Sequence, residues 1–483
     1  MVKRNFEKMA ADSQAIDKRP NVSNKLSRLD APARLDSTSA DSSTDAQYSD
    51  QLLTADRPST SDQGSSINAS TEISFFQLRP YVLIAEMLNS VPEKYYDVGG
   101  LPRINVKQTI VDKFETMRFL GYGSYATIWL VKNKVDGDYE ALKITKSDPK
   151  YQESSLREIR FMKYLLTEGQ HKNIVQFLGN FEMTEQGAIH HAMRFKVLGP
   201  NLNEILSGSA TKFHPDVLRS IIKQLLKAVE YVHKHGIIHM DIKPGNIMIE
   251  ISEDNVGMIA KNPKTSYNIY LMDLTNANSR LTVKLGDFGM SFQKDLDDER
   301  TARPTCTYRS PESFLTTGID FPIDMWSVGC TIYKLATRER LFSCKKPEGH
   351  SYRHIKKMAK MFGDIPKAPY NALLRPECSH IFEEDGYFPG GNSDFHKILA
   401  DKVTNSCLQN SKDAECFSKF VSLFFKLDPK KRVTAKEALE NQFPLPNGDK
   451  SVRGIETAKR PGMPSVGPSK TSIFQPSSFS GGN

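Results

Sequence analysis

A loop at residues 239–246, with the sequence H-M-D-I-K-P-G-N, carries the side chains whose types and spacing point most directly to chemistry. Asp241 is suited to accept or orient the proton of an attacking hydroxyl, and Lys243 to neutralise charge on a transferring phosphoryl group. Asn246 follows five residues after Asp241 and offers an amide oxygen to a magnesium ion. The pattern predicts a phosphoryl-transfer site, and a polar loop without a catalytic role is the weaker interpretation.

A second candidate metal ligand lies in the sequence L-G-D-F-G at residues 285–289. Mg²⁺ prefers a few hard oxygen ligands, and Asp287 with Asn246 would supply two of them. The motif D-F-G alone also fits an ordinary turn. Because Asp287 comes 41 residues after Asn246 and directly after a β-like run, the metal-ligand interpretation is favoured.

Residues 121–128, G-Y-G-S-Y-A-T-I, are typical of a glycine-rich hairpin. Glycine lets the backbone approach phosphate oxygens without a clash from a Cβ atom. The third glycine of the usual G-x-G-x-x-G pattern is Ala126 in this chain. Taken alone, the segment is explained equally well by an ordinary turn between strands.

Two pairs of opposite charges are predicted to meet in the fold. Lys143 lies in an apolar strand, where its ammonium needs an anion such as a nucleotide phosphate or the carboxylate of Glu158. Glu312 and Arg432 are a candidate buried ion pair, because each is costly to bury alone. For each residue taken singly, a solvated surface position is the alternative.

Turn signals and hydrophobic periodicity outline the elements that must position these side chains. Strands are predicted at residues 114–120, 126–132 and 139–145. A helix is predicted at 154–166, on the spacing of Leu156, Ile159, Met162 and Leu166, and a longer one after His214, closed by Gly236. A strand-rich first lobe followed by a helix-rich second lobe is therefore expected.

The two ends of the chain differ in composition from the stretch between them. Residues 1–70 hold 13 serines but two aromatic residues, and 19 of the 40 residues at 444–483 are Pro, Gly or Ser. Such segments cannot bury enough apolar surface to offset their conformational entropy. We expect a disordered leader over 1–71 and a disordered tail over 444–483, flanking a globular stretch at 72–443.

The composition also argues against several classes of protein. Hydrophobic residues make up 39% of the 483 residues, and no apolar run approaches the length that spans a bilayer. The six cysteines are scattered without a C-x-x-C pair, so we expect a reducing compartment and neither a zinc knot nor a disulfide scaffold. A secretory signal is not expected. The net charge of +8 permits anionic partners without demanding them.

The order of the motifs is more specific than any one of them. Glycine loop, lysine, glutamate, H-x-D-x-K-x-x-N, D-F-G and, at residues 310–312, S-P-E follow one another at workable spacings. This ensemble resembles the eukaryotic protein kinase family over about residues 114–443. The resemblance implies an α+β fold with a β-rich N-lobe at about 114–198, a helical C-lobe at about 199–443 and an N-terminal extension at 72–113.

The resemblance also implies how ATP and Mg²⁺ are held. ATP would lie between the lobes, its adenine against the backbone of Lys196 and Leu198, with Phe195 behind it. Lys243 and Thr305 match positions that mark serine/threonine rather than tyrosine kinases. The residues implied to contact the nucleotide are Leu120, Gly121, Gly123, Ser124, Ile128, Ala141, Lys143, Glu158, Phe195, Lys196, Leu198 and Met248.

Among kinases, the chain is similar to the CMGC group and, within it, to the SR-protein kinases, which phosphorylate serines in arginine/serine-rich proteins. The likeness lies in residues 96–100, 120–130, 195–199, 237–244 and 307–310. An insertion at 250–281 is also typical of that subfamily, although it is short here. The acidic run 383–385 is a candidate docking site for basic substrates, with a solvated loop as the alternative.

Three positions depart from the family pattern. Met240 stands where many kinases have an arginine that receives an activation-loop phosphate, so activity without such phosphorylation is expected. Lys196 replaces an acidic hinge residue, which backbone-mediated adenine contacts tolerate. The S-P-E sequence at 310–312 is nearer to the general kinase pattern than to that of the SR-protein kinases.

The resemblance therefore predicts a serine/threonine kinase that transfers the γ-phosphate of ATP to protein hydroxyls, with arginine/serine-rich proteins as substrates. A CMGC kinase for Ser-Pro or other targets and a catalytically inert scaffold are the alternatives. The intact set of polar motif residues argues against the scaffold. A monomer without direct nucleic-acid or membrane contact, residing in cytoplasm and nucleus, is also expected from the family.

Overall fold

The computed structural model describes most of the chain between residues 82 and 441. The described ranges are 82–87, 91–208, 212–261, 267–272, 274–293, 304–343, 350–391, 394–406, 408 and 411–441. All of them fall within one compact unit. The predicted leader over 1–71 and the predicted tail over 444–483 lie outside the described residues.

Strands are concentrated in the first part of the described chain, and helices in the second. The strands are β1 (Val82–Met87), β2 (Thr109–Ile110), β3 (Phe114–Tyr122), β4 (Ala126–Asn133), β5 (Tyr139–Thr145), β6 (Phe177–Glu185), β7 (Ala188–Lys196), β8 (Ile237–Ile238), β9 (Ile247–Ile249), β10 (Tyr267–Met272), β11 (Val283–Leu285), β12 (Phe292–Gln293), β13 (Ile365–Pro366) and β14 (Tyr387–Phe388). The helices are α1 (Pro149–Thr167), α2 (Leu202–Gly208), α3 (Pro215–Lys234), α4 (Glu253–Lys261), α5 (Pro311–Leu315), α6 (Pro322–Thr337), α7 (His350–Phe362), α8 (Phe395–Ser406), α9 (Ser411–Ser422) and α10 (Ala435–Glu440).

The N-terminal lobe is a six-stranded antiparallel sheet with the strand order β2-β3-β4-β5-β7-β6. Its strands β3, β4 and β5 confirm the three strands predicted from the sequence. The turn between β3 and β4 is closed by a 2.8 Å hydrogen bond that the N–H of Gly123 donates to the carbonyl of Ala126. Gly137, between β4 and β5, has a φ of 82°, which glycine adopts without a steric penalty.

One face of this sheet is buried in an apolar cluster. Alternate residues of a strand point to the same side, so Trp129 and Val131 of β4 share this face with Leu142 and Ile144 of β5. Lys143 lies between the last two and therefore points to the opposite face, where helix α1 carries Glu158. The strand alternation alone thus directs the lysine toward its acidic partner.

Helix α1 begins at Pro149 and is capped by Asp148, whose side chain accepts a hydrogen bond from the N–H of Lys150. The structure confirms the predicted helix but corrects its buried face. Leu156 and Leu166 are 52% and 47% exposed, whereas Met162 is buried. The buried face is centred on Glu158 and Met162, and Leu156 lies on the opposite side of the helix. This orientation directs the carboxylate of Glu158 toward the sheet.

The C-terminal lobe is built around helices α3 and α6. Helix α3 confirms the second predicted helix, with its apolar face of Leu218, Ile221, Ile222, Leu225, Val229 and Val232 buried. Helix α6 is buried along its whole length from Ile323 to Thr337. No helix in the described ranges is both long and apolar enough to cross a membrane. Short pairs β8–β12 and β9–β11 lie against this core and fix both ends of the loop that contains Asp241.

Strand β1 pairs antiparallel with β10, from Val82 opposite Met272 to Met87 opposite Tyr267. This ladder joins the predicted N-terminal extension to the predicted insertion at residues 250–281. The sequence reasoning did not predict the pairing, because the two strands are separated by most of the N-terminal lobe and share no local signal.

Candidate functional site

The glycine-rich hairpin presents open backbone toward solvent. Gly123 and Ser124 are exposed, and a Cβ atom added at either Gly121 or Gly123 would meet no atom within 4 Å. Strand register pairs Gly121 with Ile128, and Ile128 in turn with Lys143. The hairpin therefore lies directly beside the strand that carries the lysine, with room for a ligand along its backbone.

Apolar residues predicted to contact the nucleotide lie on neighbouring strands and are all partly buried. They are Leu120 on β3, Ile128 on β4, Ala141 on β5, Phe195 on β7, Leu198 just after β7, and Met248 on β9. Phe195 pairs with Ala141 in the sheet and packs edge-on against Phe177, with ring centroids 5.7 Å apart. The N–H of Lys196 donates to the carbonyl of Gln176 at 3.0 Å, so a contact between Lys196 and adenine has to use another atom.

Lys143 forms ion pairs with two carboxylates. Its Nζ lies 2.7 Å from Oε2 of Glu158 and 3.1 Å from Oδ1 of Asp287. Burial by itself lowers the pKa of Lys143, but the charges of Asp287 and Glu158 outweigh burial and raise the pKa above its ordinary value. Lys143 is therefore a fixed positive charge near neutral pH, held between a helix and the D-F-G segment.

Asp287 stays ionised for a related reason. Burial raises the pKa of Asp287, yet the charges of Lys143 and Lys243 more than offset this effect and lower the pKa to about 2. Its φ of 65° is in the left-handed region, which is uncommon for a residue other than glycine. Such a conformation persists only where surrounding contacts hold it, and it aims the carboxylate at Lys143.

Tyr125, from the glycine-rich hairpin, also contacts Asp287, and the sequence reasoning missed this residue. Its hydroxyl lies 2.9 Å from Oδ1 and 2.8 Å from Oδ2 of the carboxylate. Burial and the charge of Asp287 raise the pKa of Tyr125 well above its usual value, so the phenol stays protonated and donates. The sequence shows a tyrosine at position 125, but no local pattern predicts that its side chain points toward Asp287.

Asp241 lies at the centre of a second polar group. Its Oδ1 accepts a 2.6 Å hydrogen bond from Oγ1 of Thr305, and its Oδ2 lies 2.8 Å from Nζ of Lys243. Lys243 also donates to Oγ1 of Thr305 at 3.0 Å. Asn246 donates through Nδ2 to the main-chain oxygen and to Oδ2 of Asp241, at 2.8 and 3.0 Å. These bonds fix the orientation of the Asp241 carboxylate.

A backbone bond joins the two polar groups. The N–H of Gly286 donates to the carbonyl of Asn246 at 3.0 Å. A Cβ atom at Gly286 would lie 2.6 Å from Val175 and 2.7 Å from Met248, so only glycine permits this approach. The network contains the five polar residues predicted from the motifs, which are Lys143, Glu158, Asp241, Asn246 and Asp287.

Asp324, at the start of helix α6, holds the backbone of the Asp241 loop. It accepts hydrogen bonds from the N–H groups of His239 and Met240, at 2.7 and 2.8 Å, and contacts Nε2 of His233 at 2.9 Å. Met240 has a φ of 69°, and its side chain is buried among apolar residues of the C-lobe. The sequence analysis assigned no role to Asp324.

The predicted pair of Glu312 and Arg432 is confirmed as a buried ion pair. Nη1 of Arg432 lies 2.5 Å from Oε1, and Nη2 lies 3.0 Å from Oε2 of Glu312. The guanidinium also stacks over the ring of Trp326, with 5.1 Å to the ring centroid. This bidentate contact ties helix α5 to the segment before helix α10, 120 residues later.

The donor set of Asn246 and Asp287 fits a hard divalent cation. Asn246 commits Nδ2 to Asp241, which leaves its Oδ1 as the atom that a metal would use. Asp287 supplies an ionised carboxylate. A few oxygen ligands of this kind, completed by phosphate oxygens and water, are what Mg²⁺ prefers.

These features define a protein kinase. Residues 114–444 match the protein kinase domain family, so the chain belongs to the protein kinase family. Kinase domains of this family use ATP and a divalent metal and act on proteins. A solved structure, the kinase domain of PF14_0431, superposes with a TM-score of 0.55 at 24% identity, covering 71% of this chain and 98% of that domain.

Several protein kinases of known name are similar to this chain, at modest sequence identity. It is 26% identical over 392 residues to the serine/threonine-protein kinase SRPK of Physarum polycephalum, covering 72% of this chain and 89% of that protein. It is 28% identical to the dual specificity protein kinase CLK1 of Mus musculus, covering 69% and 66%. Against the dual specificity protein kinase lkh1 of Schizosaccharomyces pombe the identity is 24%, covering 73% of this chain and half of that kinase. The chain is a protein serine/threonine kinase, and the relatives named here are kinases of the CMGC group.

Proposed function

We propose that this chain transfers the γ-phosphate of ATP, with Mg²⁺, to serine hydroxyls of arginine/serine-rich proteins. The observation that carries the phosphotransfer is the single polar network that links Lys143 and Asp287 to Asp241. Catalysis by positioning and charge stabilisation requires that these side chains lie in one network.

Each side chain has a part that its contacts support. Lys143, held by Glu158, would bind phosphate oxygens beneath the glycine-rich hairpin. Asp241 would orient the substrate hydroxyl and accept its proton, and Lys243 would offset charge on the phosphoryl group in transfer. Mg²⁺, held by Asn246 and Asp287, would neutralise phosphate charge.

Serine rather than tyrosine as acceptor is supported by the Lys243–Thr305 contact at 3.0 Å, which encloses the Asp241 carboxylate. Arginine/serine-rich substrates are supported by the relationship to the kinase named SRPK. The acidic residues Glu383, Glu384 and Asp385 are exposed on the turn before β14, where they could meet a basic peptide.

A direct test compares two peptides with the full chain, γ-labelled ATP and Mg²⁺. We expect an Arg-Ser repeat peptide to be labelled at a higher kcat/KM than a Ser-Pro peptide. Asp241→Asn is the control for a contaminating kinase. Preference for the Ser-Pro peptide would point to another CMGC substrate class, and labelling of neither peptide would point to a scaffold.

A second comparison addresses the acidic turn. Replacing Glu383, Glu384 and Asp385 together by their amides should raise KM for the Arg-Ser peptide and leave kcat unchanged, because the turn is proposed to bind substrate and not to react.

Residence in cytoplasm and nucleus, and a monomeric state, are also proposed. Imaging of a tagged chain and light scattering would test these two points.

A further inference from the structure

Three potential metal ligands converge outside the phosphotransfer network. Sγ of Cys306 lies 3.0 Å from Nε2 of His350 and 3.0 Å from Nε2 of His354. The three ligand atoms all lie within 4.8 Å of one another. Cys306 and His354 are buried, and His350 is partly buried. We call this set, Cys306, His350 and His354, the Cys-His cluster.

The local structure explains why the two imidazoles converge. His350 and His354 are four residues apart at the start of helix α7, so they lie on the same face of the helix. Phe314 stacks on the ring of His354 at 4.9 Å, with an interplanar angle of 14°, and fixes its orientation. Cys306 reaches the pair from the segment that follows Thr305.

The geometry matches what a tetrahedral metal needs. With Zn–S near 2.3 Å and Zn–N near 2.0–2.1 Å, the sulfur and a nitrogen around one zinc ion are about 3.5 Å apart. To bind one ion, the two sulfur–nitrogen contacts of 3.0 Å would lengthen by about 0.5 Å, and the imidazole nitrogens would adjust within the 4.8 Å span of the cluster. Thiolate sulfur and imidazole nitrogen are the usual zinc ligands, and three such protein ligands leave a fourth position for water.

We propose that the Cys-His cluster binds Zn²⁺ and thereby links the segment beside the Asp241 loop to helix α7. Thr305, which bonds to Asp241 and Lys243, immediately precedes Cys306, so the ion would restrain this segment at its catalytic end. This site is separate from the Asn246–Asp287 pair and differs from it in chemistry, since sulfur and imidazole ligands select zinc over Mg²⁺.

The sequence-based reasoning expected no zinc knot and did not anticipate the Cys-His cluster. Cys306 is separated from His350 by 44 residues and from His354 by 48, so no short motif such as C-x-x-C indicates the cluster. The H-x-x-x-H spacing at 350–354 was the available signal, since i,i+4 histidines share one helix face.

The test measures metal, not phosphotransfer, so it is independent of the proposed kinase activity. The full chain, expressed with zinc present and dialysed against metal-free buffer, is analysed for bound metal by mass spectrometry. Zinc is then replaced by Co²⁺, because a tetrahedral thiolate–imidazole site gives a sulfur-to-cobalt charge-transfer band and strong visible d–d bands. Variants are Cys306→Ser and His350→Gln, and the controls are Cys416→Ser and His380→Gln, which lie outside the cluster.

We expect one zinc ion per wild-type chain and per control chain. Cys306→Ser should lose the charge-transfer band, and His350→Gln should weaken zinc binding by at least about tenfold. Because His350 is partly exposed, that variant should stay folded, which circular dichroism can verify. A wild-type chain that holds no zinc and shows no thiolate–cobalt band would overturn the proposal, as would zinc retained equally by both cluster variants.

Discussion

The hydroxyl of Tyr125 lies within 2.9 Å of both carboxylate oxygens of Asp287, a residue that Mg²⁺ would use. Through Tyr125, the glycine-rich hairpin thus forms hydrogen bonds to the same carboxylate that is proposed to bind the metal. A hydrogen bond to a charged group is among the stronger ones in proteins. Binding of the metal–nucleotide complex would therefore compete with this phenol for the Asp287 carboxylate.

Tyr125→Phe should tighten binding of Mg²⁺–ATP by about two- to tenfold, because removing the hydroxyl frees Asp287 without creating a cavity. Isothermal titration calorimetry on the full chain measures the dissociation constant. Tyr151→Phe is the matched control, since Tyr151 stacks on Tyr125 at 6.3 Å. Unchanged or weaker binding in the Tyr125 variant would show that the phenol does not compete with the metal.

Lys143→Met should leave a folded protein with phosphotransfer reduced by orders of magnitude, because the fixed charge for phosphate oxygens is lost. It should also destabilise the fold, since Glu158 is buried and loses its 2.7 Å partner. Peptide labelling measures the first effect and urea unfolding the second. Activity equal to that of the wild type would refute the assignment of Lys143.

Much of this arrangement could be predicted from the sequence, because it follows from local periodicity and ordered motifs. The position of Lys143 in an apolar strand predicted an acidic partner such as Glu158, and charge pairing predicted the Glu312–Arg432 contact. The Tyr125 contact, the β1–β10 ladder and the Cys-His cluster were not predicted. Each depends on residues far apart in sequence whose approach is decided by packing of the whole fold, for which no local pattern exists.

The Glu312–Arg432 pair should matter for stability more than for chemistry. Arg432→Met leaves the buried Glu312 carboxylate unpaired and should lower the free energy of unfolding by about 3–5 kcal/mol. Lys419→Met, which breaks the exposed pair with Glu415, should have little measurable effect. Denaturant titration of both variants checks the contrast, and equal, small losses would contradict it.

Asp324→Asn should lower kcat and leave the KM for ATP nearly unchanged. The amide cannot accept hydrogen bonds through both side-chain atoms, so the backbone of His239 and Met240, with its φ of 69° at Met240, loses part of its support. Asp320→Asn, an exposed substitution just before the same helix, is the control. If kcat of the two variants were alike, Asp324 would not be a positioning residue.

Asp287 should make stability depend on pH in the acid range. Its folded pKa of about 2 lies below the ordinary value of 3.8, so its contribution is fully present above about pH 4 and is lost as pH falls toward 2. The full linkage amounts to about 2 kcal/mol. The difference in unfolding free energy between wild type and Asp287→Asn, measured by denaturation from pH 6 to 3, should shrink as pH falls. A difference independent of pH would contradict the low pKa.

The most direct measurement is single-turnover transfer of γ-phosphate from ATP to an Arg-Ser peptide by wild type and Asp241→Asn, with ATP affinity measured in parallel. Asp241 contacts Lys243, Thr305 and Asn246 but is not among the residues proposed to hold the nucleotide or the metal. We predict that transfer falls by about 10²–10⁴-fold while the ATP dissociation constant changes little. Transfer at the wild-type rate in the variant would contradict the role of Asp241 and, with it, the proposed active site.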